Sequence, residues 1–407
     1  MNVSEIRDLF PALASEVYGK PLVYLDNAAT SQRPQAVLDK MAEMAQKKNA
    51  NIHRAVHRLS LEATEEYESA REVVKAFLNA GTREEIIFTS GTTAAINLVA
   101  SSFGEAFIEK GDEILIAVCE HHSDIVPWQL LAGRKGAVIK VLPVDEDGRL
   151  QIERLKNLLT DRTKICCVAQ VANVLGVKNP IDEIVSICHS RGCAVLVDGA
   201  QGVVHEGFDV QRNGCDFYAF SGHKVYAATG VGVLYGRKEL LEKMPPYMGG
   251  GEMIERVSFT GTTYAPLPMK FEAGTQNFNA VPTLVPALKL ADTFRKDEEV
   301  LRCQQEITGY LLYELKKIEG LRLYGDTAPE ERIPLFSFSI EGVHHEDLAL
   351  ILDKMGFAVR SGQMCAEPIM DRYGVSGMLR ASFAPYNTIE EAEAFIAALH
   401  KAVDMLR

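Results

Sequence analysis

The sequence predicts an α/β fold: a large domain built on a mostly parallel, seven-stranded sheet, with a smaller α+β domain beside it. Three observations carry this expectation. Between Ile86 and Tyr235 seven short apolar, β-rich runs alternate with stretches of helical period, the pattern of parallel strands joined by helices. After about Val281 that alternation stops and a long helical run begins. At 407 residues the chain also exceeds what one ordinary core fills.

The expected strands are Ile86–Thr89, Glu113–Val118, Val138–Leu142, Lys164–Gln170, Ala194–Asp198, Phe217–Ser221 and Val231–Tyr235. Thr93–Phe107, Ile152–Leu159 and Ile181–Arg191 read as helices between them. Ser60–Leu78 reads as a helix too, with a serine cap and apolar residues recurring at three and four. The second part holds a helical run Leu284–Ile318, an apolar strand Leu335–Ile340, a segment Glu346–Met355 and a final helix Ile389–Leu406. The expected division is a large domain over residues 16–285, with a small domain formed by residues 286–407 and completed by residues 1–15.

Composition narrows the function. Charged residues make up 24% and hydrophobic ones 47%, ordinary for a globular protein. The net charge of −12 and the lack of a basic run argue against nucleic acid as a partner. Six of the eight cysteines, Cys119, Cys166, Cys167, Cys188, Cys193 and Cys215, sit in or beside apolar stretches, where a cysteine is a small buried hydrophobe. No C-x-x-C pair occurs, and His121-His122 and His344-His345 lack zinc-site spacing, so no metal is expected. The first residues are polar and acidic, and no apolar run approaches membrane-spanning length. A cytoplasmic, reducing location is the expectation, with no membrane contact.

Three segments suggest chemistry. In Thr89-Ser90-Gly91-Thr92-Thr93 a strand ends, a glycine turns the chain and a helix begins, leaving free N–H groups that attract an anion such as phosphate. An ordinary capped helix would look the same. In Val195-Leu196-Val197-Asp198 an apolar run delivers a carboxylate to the edge where open α/β sheets bind ligands. A carboxylate buried there needs a partner, which a protonated pyridine nitrogen, a helix cap or an arginine would supply. In Ser221-Gly222-His223-Lys224 a second strand end presents a lysine, which desolvation can prepare for Schiff-base chemistry with an aldehyde.

With these segments in view, the chain resembles the pyridoxal-phosphate (PLP) enzymes of aminotransferase fold type I. Within them it resembles the cysteine desulfurase and selenocysteine lyase family, most of all its SUF-type subgroup. The likeness runs through Tyr24-Leu25-Asp26-Asn27-Ala28-Ala29, His53-Arg54, Gly91-Thr92-Thr93, Glu120-His121-His122-Ser123 and Asn173-Val174-Leu175-Gly176. It continues in Asp198-Gly199-Ala200-Gln201, Ser221-Gly222-His223-Lys224, Gly249-Gly250-Gly251, Phe271-Glu272-Ala273-Gly274-Thr275 and Arg380-Ala381-Ser382-Phe383.

The resemblance implies roles. Lys224 would bond the cofactor, pyridoxal 5'-phosphate, and later move the substrate's α-proton. Asp198 would pair with the pyridine nitrogen, His121 would lie over the ring, and Asn173 and Gln201 would bind the phenolic oxygen. Thr92, Thr93, Ser221 and His223 would surround the phosphate, with Thr275 reaching in from a second subunit of a homodimer. Arg360 and Arg380 would hold the substrate carboxylate, which a planar guanidinium binds through two hydrogen bonds, and Asn173 would contact the substrate as well. Cys365, in the polar loop Arg360-Ser361-Gly362-Gln363-Met364-Cys365 of the small domain, would take the sulfur of L-cysteine as a persulfide and leave alanine. A sulfur-acceptor protein, serving iron–sulfur cluster assembly or another sulfur pathway, would then be the partner.

Three positions depart from the subgroup's pattern. Gln363-Met364 replace residues that are usually histidine-rich, so a titratable side chain beside the thiol is missing. Ala227-Ala228 stand where Gly-Pro is usual, which would strain the turn if that glycine had a positive φ. Ser90 stands where arginine is common. L-selenocysteine as substrate, another amino-acid reaction on the same fold, and a PLP-binding sulfur relay remain alternatives at this point.

Overall fold

A computed structural model describes all 407 residues. The large sheet contains β1 (Ile86–Thr89), β2 (Glu113–Ala117), β3 (Val138–Leu142), β4 (Thr163–Ala169), β5 (Ala194–Asp198), β6 (Phe217–Ser221) and β7 (Gly232–Gly236). Their order is β1-β7-β6-β5-β4-β2-β3. All run parallel except β7, which opposes both neighbours.

Along these strands successive side chains enter two different cores. Leu115, Cys166, Val195 and Tyr218 join one cluster, while Ile114, Ile165, Leu196 and Phe217 join another. A strand buried on both faces has no polar alternation, which is why these runs read as continuous apolar stretches; the edge strand β3, with Val138 and Val141 exposed, is the exception. The six cysteines expected to be buried are buried, and Cys365 is exposed. No helix is long and apolar enough to cross a membrane.

A second, antiparallel sheet follows, made of β8 (Leu321–Tyr324), β9 (Leu335–Ile340), β10 (Arg360–Gly362) and β11 (Met378–Ser382), in the order β8-β9-β11-β10. Helices Glu298–Leu315, His345–Lys354 and Ile389–Leu406 cover it, packing Leu311, Leu352 and Phe395 in one core with Phe336 and Phe338. The N-terminal part of the chain ties the two sheets together. Val23–Tyr24 pairs in parallel with Phe357–Ala358, and Asp26 bridges to Ser382. The Phe10 ring packs 4.6 Å from Tyr386 and 5.7 Å from Tyr226.

Local detail differs from expectation at three places. The run expected over Leu284–Ile318 is two helices, Leu284–Lys296 and Glu298–Leu315, divided at Asp297. The Asp297 carboxylate accepts the N–H groups of Glu299 (3.0 Å) and Val300 (3.3 Å), which starts a new helix. The helix expected from a Ser60 cap begins at Arg58 instead. His57 caps it by accepting the Ser60 N–H, and the Ser60 hydroxyl donates to the Asn51 carbonyl. Neither Ala227 nor Ala228 has a positive φ; the left-handed residue is Tyr226, at φ 70°. The replacement of Gly-Pro therefore brings no backbone strain to those two positions.

Behind β1 lies a buried ion pair. Arg71 and Glu272 are fully enclosed, and Arg71 donates to Glu272 at 2.7 and 2.9 Å and to the Ile86 carbonyl at 2.7 Å. Tyr67 (3.0 Å) and the Phe88 N–H (2.8 Å) complete the carboxylate's partners. This network joins helix Arg58–Leu78 and β1 to the segment that carries Gly274-Thr275. Removing Glu272 leaves the enclosed Arg71 only Glu68, at 3.1 Å, as a carboxylate partner, and breaking a buried pair in this way costs about 3–5 kcal/mol. Glu272→Ala is accordingly expected to destabilise the chain by about that amount, read from the denaturant midpoint. A loss below about 1 kcal/mol would contradict this.

Candidate active site

The connections leaving β1, β2, β4, β5 and β6 at their carboxyl ends converge on one edge of the sheet, where open α/β sheets bind ligands. All the residues expected in the site, except Thr275, line one cavity there of about 250 Å³. Thr275 is exposed beyond Glu272 and does not reach this cavity within its own chain. The exits of β1 and β6 can lie side by side because the backbone is bare. A Cβ on Gly232 would stand 2.4 Å from the Gly91 Cα, so a larger residue at 232 would force β7 off β1.

The floor of the cavity holds an opposed pair of charges. Asp198 is 6% exposed and accepts the Ala200 N–H at 2.8 Å. Burial raises the Asp198 pKa, and the nearby Lys224 ammonium works against that rise. Burial lowers Lys224 to about 8, with the Asp198 carboxylate resisting. A fraction of the amine is therefore unprotonated near neutral pH, as imine chemistry requires.

At the other end, helix Thr92–Phe107 opens on the cavity. The Thr92 N–H donates to Ser221 Oγ at 2.8 Å, the two hydroxyls also lie 2.8 Å apart, and Thr93 Oγ1 lies 2.8 Å from Ser123 Oγ. A helix N-terminus lined with hydroxyls suits a phosphate. His223 is held in place through Ser31, whose N–H and hydroxyl both donate to the His223 carbonyl at 3.0 Å.

His121 follows β2, and burial lowers its pKa to about 4, so the ring is neutral. The Ser123 N–H points at its Nδ1 from 3.0 Å. That nitrogen holds the lone pair, which leaves the single proton on Nε2. Asn173 and Gln201 each use an amide N–H on the main chain, Asn173 on the Met364 carbonyl (2.9 Å) and Gln201 on the Ala28 carbonyl (2.7 Å).

The arginines share a partner that sequence reasoning left without a role. Arg360 grips Asp26 through Nε (3.1 and 3.2 Å) and Nη2 (3.0 Å), and Arg380 reaches the same carboxylate at 3.4 Å. Arg380 is buried, also donates to the Asn173 carbonyl at 2.9 Å, and keeps an Nε without any acceptor. Its pKa is pushed down to about 10 by that burial. A carboxylate ligand would satisfy it.

Cys365 stands at the cavity wall in a strained loop. Met364 and Cys365 both have left-handed backbone, at φ 50° and 56°, a conformation that costs a non-glycine residue roughly 1–2 kcal/mol. Met364 is buried as a plug beneath the loop while the thiol remains exposed.

Two further carboxylates lie beneath His121. Glu120 and Asp124 are both 0% exposed. Glu120 accepts the Ala169 N–H and Asp124 the Trp128 indole N–H, each at 2.8 Å, and each has its second oxygen without a partner. Burial raises both, and each has an acidic neighbour adding to the rise, Asp124 for Glu120 and Asp198 for Asp124. Glu120 stands in the segment Glu120-His121-His122-Ser123, but its burial and its acidic neighbour come from the fold and leave no local trace in the sequence.

The donor set fits pyridoxal phosphate. It offers a lysine near neutrality for the aldehyde, a buried carboxylate for the ring nitrogen, and hydroxyls at a helix N-terminus for the phosphate. The fold and site thus define a pyridoxal-phosphate enzyme, and residues 23–395 match the aminotransferase class-V family, to which the chain belongs. A cysteine desulfurase of Pectobacterium carotovorum is 46% identical over 400 residues, covering 98% of this chain and 97% of that one. A probable cysteine desulfurase of Halalkalibacterium halodurans is 47% identical over 401 residues, 98% of each. Among solved structures, the cysteine desulfurase CsdA of Escherichia coli matches with a TM-score of 0.91 at 38% identity, covering 100% of both chains. The apo cysteine desulfurase of Thermococcus onnurineus matches at 0.89 and 35% identity, covering 97% of this chain and 98% of that one. Within the class-V family the chain belongs with the cysteine desulfurases.

The raised carboxylates make a pH prediction. Stability that depends on keeping Glu120 and Asp124 protonated is complete below the unfolded carboxylate pKa, near ~4, and is lost as pH rises through the folded values. Asp124→Asn replaces a proton that must be retained by one that cannot leave. Its denaturation midpoint should exceed that of the parent by roughly 1–2 kcal/mol in alkaline buffer, with the gap closing at acid pH. A gap that is absent, or that widens toward acid, would contradict the assignment.

Proposed function

We propose that this chain removes sulfur from L-cysteine, releasing L-alanine and leaving a persulfide on Cys365. The observation that carries the reading is the placement of an exposed thiol in the wall of the cavity whose floor is Lys224 and Asp198. A buried structural cysteine would be neither exposed nor set on a strained loop.

Bound pyridoxal phosphate supplies an electron sink for the pair released when the substrate's α-proton leaves. The remaining work falls to the chain's own residues. Lys224 holds the cofactor and then carries the α-proton. Asp198, paired with the ring nitrogen, keeps that nitrogen protonated. Asn173 and Gln201 serve the phenolic oxygen, and Thr92, Thr93, Ser221 and His223 serve the phosphate. Thr275 would complete that phosphate site from a partner subunit, which makes a homodimer the working form. Arg380 and Arg360 take the substrate carboxylate, Arg360 leaving Asp26 to do so.

Cys365 Sγ then bonds to the substrate's sulfur as the Cβ–S bond breaks, the electron pair staying on Cβ. His121, neutral with its proton on Nε2, is the group suited to hand a proton to the departing site. The net change is cysteine plus thiol giving alanine plus persulfide, with no outside oxidant or reductant. Residues 16–285 form the cofactor-binding domain, and residues 1–15 with 286–407 form the domain that carries the thiol loop. A sulfur-acceptor protein would discharge the persulfide in the cytoplasm.

Incubating the holoenzyme with L-cysteine and a reductant should yield alanine and sulfide in equal amounts. Cys365→Ala should yield neither while keeping the cofactor's visible absorbance, and Lys224→Ala should lose both activity and the lysine-bound absorbance. Undiminished alanine production by Cys365→Ala would sink the reading.

A further inference from the structure

With Gln363-Met364 beside it, Cys365 has no histidine in its own loop. The fold brings one from across the cavity. The main-chain N–H of His122 donates to the Cys365 carbonyl at 2.7 Å, and the Glu367 N–H donates to the ring Nε2 of His122 at 3.1 Å. We propose that His122 is a positioning residue that clamps the Cys365 loop, its imidazole fixing the point where the loop becomes helix. The inference rests on the reading of Cys365 as the sulfur-accepting nucleophile.

Three features support it. Helix Glu367–Tyr373 has Ala366 at its cap position, which has no side-chain acceptor for the first N–H groups. His122 Nε2 supplies that acceptor from a residue 245 positions away in the chain. Second, two consecutive non-glycine residues at positive φ do not hold that shape unaided. The Asn173 amide at the Met364 carbonyl and the His122 N–H at the Cys365 carbonyl grip both strained residues in turn. Third, the adjacent histidines use opposite nitrogens. His121 accepts at Nδ1 and His122 accepts at Nε2, so their protons lie on Nε2 and Nδ1 respectively. Their rings are 6.3 Å apart. One serves the cofactor side of the cavity and the other the thiol loop, which explains the pairing that metal-ligand spacing did not.

His122→Phe keeps a planar ring and removes the acceptor, whereas His122→Gln returns an acceptor at the reach of Nε2. In the holoenzyme, His122→Phe should lower kcat for alanine about tenfold, the scale of one lost hydrogen bond. KM for L-cysteine and the cofactor's visible absorbance should stay unchanged. Hydrogen exchange of the peptide spanning Gln363–Met370 should quicken in His122→Phe, and His122→Gln should restore both kcat and protection. If His122→Phe does not fold, His122→Asn, whose amide stops short of Glu367, takes its place. A mutant with undiminished kcat and protection overturns the clamp, as does a fall in kcat that glutamine fails to restore. Absence of alanine from the parent protein would instead refute the desulfurase reading, and the exchange measurement would still decide whether His122 holds the loop.

Discussion

The opposition of Asp198 and Lys224 at the sheet edge is the interaction from which the rest of the site follows. Each is driven toward its uncharged form by burial and toward its charged form by the other. Such a pair is stable only where the backbone cannot yield, and six strands buried on both faces provide that rigidity. A ligand with a ring nitrogen for one group and an aldehyde for the other relieves both strains together. The cofactor is in this sense demanded by the floor of the cavity.

The second sheet brings a thiol and two guanidiniums to the same cavity. It is seated by contacts from the loop that follows β4. Arg380 donates to the Asn173 carbonyl, Ser337 donates to the Val174 carbonyl, and the Ile333 N–H donates to the Gly176 carbonyl. Asn173 turns back and holds Met364. One short segment after β4 therefore registers both Arg380 and the thiol loop. Asp26, arriving just after a strand paired with the segment Phe357–Ala358, is held by both arginines. A buried cation is costly without a partner, and the Asp26 carboxylate lowers that cost while leaving Arg380 Nε open.

Much of this was legible in the residues themselves. The strands from Ile86 to Gly236 were found within one residue because burial on both faces leaves an unbroken apolar run. Asp198 and Lys224 announced themselves as charged residues at the ends of such runs, and Cys365 as the cysteine set in a polar loop. Illegible features depend on distant partners. The break at Asp297 interrupts a run whose apolar period continues on both sides, and only the acidic string Asp297-Glu298-Glu299 hinted at a cap. The His57 cap was hidden because Ser60 is the commoner choice. Asp26 and His122 stood inside recognised segments, yet their partners lie more than two hundred residues away. Thr275 is exposed and stands apart from the cavity within its own chain.

The central claim is that the thiol in this cavity, and no other, receives the substrate's sulfur. Its most direct test is a single turnover with L-cysteine in the absence of reductant, followed by peptide mass spectrometry of the protein. The account predicts a gain of one sulfur atom on the peptide containing Cys365, in step with one alanine released. Alanine formed with the sulfur on Cys303, or with no sulfur retained on the protein, would contradict it.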